Sequence, residues 1–184
     1  MGDLLALTLL NPERVWRTGE LADRTGNPYP TVSRELRRLG QADILVSETV
    51  GRSRLWRANT ANPNYRPLSR LVGTSFGPAQ VVAEEFSEIE GVDEVMIYGS
   101  WAARSSGEPG PAPHDIDVLV LGRPARTAVY GAAQRAEQRL GLEVNAATRP
   151  SEGWANADDG FAEHVKASPL VRVLPSRGLV GSGA

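Results

Sequence analysis

The sequence predicts an α+β fold in two parts: a small helical segment closed by a β-hairpin, then a small mixed sheet alternating with helices. Three observations predict it. Apolar residues in the first sixty positions recur at helical spacing, then give way to two β-like runs that pivot on Val50-Gly51. A Pro/Asn-rich stretch follows. After residue 90, short apolar runs alternate with helical stretches.

Apolar content of 41% and charged content of 23% over 184 residues are those of a soluble globular protein with one ordinary domain or two small ones. There is no cysteine, which excludes disulfide and thiolate chemistry and fits a cytoplasmic setting. The first apolar run, Leu4 to Leu10, follows an acid and ends at Asn11-Pro12, so it reads as a short helix rather than a signal peptide. No run is long enough to span a membrane. The net charge of -2 hides an asymmetry: residues 1–60 carry nine arginines against seven acids, and the remainder eleven bases against fifteen acids.

Within residues 1–60, Thr18 is expected to cap a helix with Glu20 in its first turn, and Gly26 to end it. Asn27 is expected to cap a second helix over about 28–39, with Pro28 in its first turn. Val32, Leu36 and Leu39 then share one face. Arg34 and Arg37 point nearly opposite, Arg38 lies to one side, and Thr31 and Ser33 flank. That face is suited to base edges and phosphates. Arg52, Arg54 and Arg57 sit near the hairpin tip, where bases meet phosphate.

With "ELADRTG", "TVSRELRRLGQADIL" and "GRSRLWRA", residues 1–60 resemble the winged helix-turn-helix domains of ArsR/MarR-type bacterial transcription regulators. The resemblance implies binding of double-stranded DNA by a homodimer. Gln41-Ala42-Asp43 departs from the pattern, which more often has a glycine before the wing. Metal sensing of the ArsR kind needs cysteine or histidine clusters, and only His114 and His164 are present. Residues 61–77 read as a linker and connecting helix, part of a helical stretch from about Pro67 to Ile89 that Gly73–Pro78 interrupts.

Residues 78–175 are expected to run as strand Glu94–Tyr98, a helix near 100–105, strand Ile116–Leu121, a helix over about 125–140, a strand over about 142–148, a helix near 159–167 and strand Leu170–Leu174. Gly99-Ser100 closes the first strand and opens a helix, where a glycine allows close approach and the hydroxyl faces phosphate. Asp115 and Asp117, two apart on a strand, leave the same face while Ile116 and Val118 enter the core. Two such carboxylates repel unless a cation lies between them, and Mg²⁺ with phosphate oxygens is the species that gains most.

"IYGSWAAR" and "HDIDVLVLG", in that order on two strands, resemble the minimal nucleotidyltransferase domain of the DNA polymerase beta-like superfamily. The resemblance implies that Gly99 and Ser100 hold nucleotide phosphates and that Asp115 and Asp117 bind Mg²⁺. Arg104, one turn on, is a candidate phosphate contact, with a surface role the alternative. The insert "SSGEPGPAP" reads as a flap. Active members carry a third acid on the next strand. Here Asn145 aligns best with it, and Glu143, two residues earlier on the same face, is the possible substitute; the catalytic set would then be Asp115, Asp117 and Glu143. Asparagine cannot accept a proton at neutral pH.

Trp56, Trp101 and Trp154 read as packing residues before base-stacking ones, and the tail 176–184 as a flexible segment. The leading expectation is a cytoplasmic DNA-binding transcriptional regulator with a nucleotidyltransferase-like domain that binds nucleoside triphosphate and Mg²⁺ or serves as a scaffold. The alternatives are an active Mg²⁺-dependent nucleotidyltransferase, antitoxin-like towards a partner toxin, and a structural DNA-binding dimer.

Overall fold

The computed structural model describes residues 1–175; the expected flexible tail, 176–184, lies outside them. The chain is mixed α+β with two small sheets, one in each of two compact units. The first unit holds Met1–Gly77 with Gln138–Gly141, and the second holds Pro78–Glu137 and the chain from Leu142. No helix among the described residues is long and apolar enough to cross a membrane.

The first unit opens with α1 (Gly2–Leu9), whose Leu4, Ala6, Leu7 and Leu9 are buried. The two-residue strand β1 (Trp16–Arg17) pairs antiparallel with β3 (Ser53–Ala58), giving the sheet order β1-β3-β2 with β2 at Leu45–Val50. This pairing corrects the expected cap. Extended backbone persists through Arg17, which is the N-cap of α2 (Thr18–Thr25). Thr18 is instead inside the helix and buried, where its hydroxyl accepts the indole N–H of Trp56 at 3.3 Å.

Gly26 ends α2 in the left-handed region, as its position suggests. Helix α3 (Tyr29–Gln41) begins after Pro28, not Asn27, whose amide donates to the Thr25 carbonyl instead. The helix runs two residues further than expected. Val32 and Leu36 are buried and Leu39 packs against the same core.

The turn after α3 explains the missing glycine. Asp43 itself adopts φ 59°, a conformation that glycine takes easily and that Asp tolerates better than most. Its carbonyl accepts from the Asn59 and Asn62 amides at 2.9 and 2.8 Å, which hold the turn in place. Strands β2 (Leu45–Val50) and β3 (Ser53–Ala58) then form the hairpin around Gly51-Arg52. Residues 61–77, expected as a connection, hold α4 (Tyr65–Phe76). Its Val72 is buried in the first core, and the Tyr65 hydroxyl donates to the Leu9 carbonyl at 3.0 Å. The stretch is therefore structural to the first unit.

The second unit begins with α5 (Pro78–Phe86), which buries Val81, Val82 and Phe86. Strand β4 (Val92–Tyr98) leads into α6 (Gly99–Ser105), and β5 (Asp115–Gly122) returns antiparallel beside β4. Helix α7 (Arg126–Leu140) carries buried Val129, Ala132, Ala133 and Ala136, an apolar stripe at helical spacing. Through it the chain enters β6 (Glu143–Arg149), parallel to β5. A single 3₁₀ turn at Trp154–Asn156 precedes α8 (Gly160–Ala167). The Asp159 carboxylate caps α8 by accepting from the Phe161 and Ala162 amides. Strand β7 (Val171–Leu174) completes the order β6-β5-β4-β7.

Alternation along the strands gives the sheet two faces. Val95, Ile97, Ile116, Val118 and Val120 are buried on one. On the other, Met96, Tyr98, Leu119 and Leu121 form a cluster with Val165, packed by Trp154 and Phe161. Asp115 and Asp117 emerge on this second face, beside that cluster.

Candidate functional sites

Position, not composition, makes the aspartates unusual. Tyr98 is the cross-strand partner of Asp117, so the end of β4 lies beside the carboxylate. Gly99 follows with φ +71°, and a Cβ added there would run into the Asp117 carboxylate. Only glycine satisfies both the backbone and the space. The Gly-Ser turn and the aspartate strand are thus pressed together, and Ser100 is exposed at the same turn.

In the parallel ladder Asp115 lies opposite Glu143 and Asp117 opposite Asn145, so all four point to one face. The Asn145 amide donates to the Asp115 carboxylate at 3.2 Å. Asn145 therefore joins the aspartate pair. Glu143 is exposed at the strand's start, opposite Asp115; among the described residues, no three acidic, histidine or cysteine side chains group as a metal site.

Burial, then the Asp115 charge, raises the pKa of Asp117, while the Asn145 amide and His164 oppose the rise. The Tyr98 phenol is also pushed up, first by burial and then by Asp117, with Arg149 pulling against it. Two carboxylates thus share one face with their charges in conflict, and a glycine turn lies against one of them.

Because the folded chain holds the Asp117 proton more tightly than the unfolded chain, ionisation of Asp117 costs stability. That cost is absent below the ordinary value of 3.8 and fully present above the raised pKa. Asp117→Asn removes it. Without divalent cation at neutral pH, the variant is expected to melt higher than the parent, by on the order of a degree. The gap should close as pH falls below that ordinary value. Thermal melts across pH check this.

Two further residues on this face are not singled out by sequence motifs. Arg149 ends β6 in the alternating register of Glu143 and Asn145, and its guanidinium lies 4.5 Å from the Phe161 ring centre. Tyr98 precedes the Gly-Ser pair inside an apolar run. The spacing signal was available for Arg149; nothing local marks Tyr98. Arg104, near the end of α6, packs against Gly110 and lies 3.8 Å from Glu108. Trp154 packs against Phe161.

In the first unit, α3 exposes Arg34, Arg37 and Arg38, with Thr31 and Ser33 half-buried beside them. Arg34 and Arg38 both reach Glu35, at 3.7 and 3.4 Å. Both guanidinium groups are largely exposed although the Glu35 side chain is mostly covered, so each pair is weak and can exchange for phosphate. Arg52 is exposed in the hairpin turn. Arg54 donates through Nε to the Ser47 hydroxyl at 3.0 Å and stacks 4.8 Å from the Trp56 ring centre. Arg57 alternates to the other face of β3. Trp56 is buried.

Comparisons with protein-family models, with curated proteins and with solved structures give no match for this chain.

Proposed function

We propose that the chain is a DNA-binding transcriptional regulator of winged helix-turn-helix type. Its second unit would be a nucleotidyltransferase-like fold that binds a nucleoside triphosphate with Mg²⁺ without transferring it. What carries the DNA half is the basic surface of the first unit, where Arg34, Arg37 and Arg38 are exposed on α3 and Arg52 and Arg54 on the adjoining hairpin. Helix and hairpin are the two elements such domains use for groove and backbone.

The Asn145 amide bonded to Asp115 supports the second half. Gly99, Ser100 and the aspartate pair would meet phosphate and cation, but the neighbouring strand offers an amide where a transferase needs a base. Tyr98 and Gly99 would set the position of Asp117, and Ser100 would offer its hydroxyl to phosphate.

Two assays test this. A gel shift with DNA from upstream of the protein's own coding sequence should show a complex at low salt; a blank lane there defeats the regulator reading. Saturating ATP with Mg²⁺ should raise the melting temperature, while α-labelled ATP should leave no label on protein or small acceptors. Label that Asp115→Ala abolishes would favour an active transferase instead.

A further inference from the structure

The first unit contains a cavity of about 440 Å³ between the C-terminal half of α3 and the inner face of the hairpin. Arg37 and Gln41 line it from α3, Asp43 from the turn, Ser47 from β2, and Arg54 and Trp56 from β3. Its rim is rigid. Trp56 is tied to Thr18 through its indole N–H. Its ring also lies so close to Gly40 that an added Cβ would meet it at 3.1 Å. Asp43 is held in its left-handed turn by two asparagine amides.

Two cations from different elements face this space, and neither forms an ion pair among the described residues. Each donates a hydrogen bond through its Nε, Arg37 to the Ser33 carbonyl at 3.2 Å and Arg54 to the Ser47 hydroxyl at 3.0 Å, and the Arg54 guanidinium also stacks on Trp56. The terminal nitrogens of both guanidinium groups remain as donors, the geometry that matches a phosphoryl group in bidentate fashion. The volume is several times that of a phosphate ion and lies within the range of small-molecule sites. Asp43 and Gln41 add acceptors suited to hydroxyl or amine groups on the rest of such a ligand.

We propose that this cavity binds a small phosphate ester of about mononucleotide size, and that its occupancy competes with DNA for the terminal nitrogens of Arg37 and Arg54. The competition rests on the DNA-binding reading above; the binding of the ester does not. Residues of the first unit alone line the cavity, and the aspartates belong to the second unit, so occupancy must be read locally.

The experiment uses the full chain, with AMP as the probe and adenosine and inorganic phosphate as controls. Two signals are followed: the Trp56 indole N–H resonance, and displacement of a fluorescent DNA duplex. AMP at millimolar concentration should shift the Trp56 resonance and displace the duplex, while adenosine does neither. Arg37→Gln and Arg54→Gln should each weaken the AMP effect on Trp56 roughly tenfold, and Arg66→Gln, an exposed charge on α4, should not. An unmoved Trp56 resonance overturns the proposal, as does an equal response to adenosine or insensitivity to both cavity arginines. A Trp56 shift caused by duplex but not by AMP also overturns it, since the phosphate bound would then be the DNA backbone. An AMP-dependent Trp56 shift in a protein that binds no duplex supports the ester site and removes the DNA reading instead.

Discussion

Replacing Arg34 and Arg37 together with glutamine is expected to weaken duplex binding at low salt by roughly thirty- to a hundredfold and to reduce its salt dependence by about two units of slope. Both side chains stand on the face of α3 away from Val32 and Leu36, so their removal leaves the core intact. The arginines differ in what they leave behind: Arg34 gives up a 3.7 Å pair with Glu35, and Arg37 a bond to the Ser33 carbonyl on its own helix. Neither loss should move the melting temperature by more than about a degree. Fluorescence anisotropy across a salt series reads the affinity, and a melt of the same sample shows that the fold is unchanged. Full affinity in a folded double variant would place the DNA surface elsewhere.

The second large effect is expected at Asn145. Asn145→Asp places a third carboxylate opposite Asp117 and removes the amide donor that Asp115 now accepts. Without divalent cation the variant should lose roughly 1–2 kcal/mol, combining a lost charge-assisted bond with like-charge repulsion that solvent partly screens. At this chain length that is a fall of about 2–8 °C in melting temperature. Millimolar Mg²⁺ should return most of it, because the new carboxylate lies beside both aspartates and adds a ligand to the pair. The parent should gain less from Mg²⁺ alone. Melts with and without Mg²⁺ decide it: a variant that melts with the parent in both conditions would mean that position 145 does not face the aspartate pair.

Much of this architecture is legible in the sequence because its signals are local and mutually consistent. From β4 onward the strands and α-helices fall within two residues of their expected places, since apolar runs alternate with helical stretches and Gly99 and Gly122 mark breaks; α5 stops three residues short of Ile89, and the 3₁₀ turn at Trp154–Asn156 has no forerunner in the pattern. Asp115 and Asp117 announce themselves by interrupting an apolar run at strand spacing. What the sequence hides is set by tertiary pairing. The short strand β1 draws Trp16 and Arg17 against β3, and this alone moves the start of α2 and turns Thr18 from cap into a buried acceptor. Asp43 replaces a turn glycine because two asparagines sixteen and nineteen residues on hold its carbonyl. The parallel register between β5 and β6 decides that Asn145, rather than Glu143, stands opposite Asp117. The cavity beside Trp56 exists only once helix, turn and hairpin are assembled.

The central claim, that the first unit binds DNA through α3 and the hairpin, is tested most directly by the wild-type affinity for duplex DNA as a function of salt. If Arg34, Arg37, Arg38, Arg52 and Arg54 supply three to five phosphate contacts, the logarithm of the binding constant should fall linearly with the logarithm of salt concentration, with a slope of about −3 to −5. No binding at the lowest salt, or a slope near zero, would contradict it.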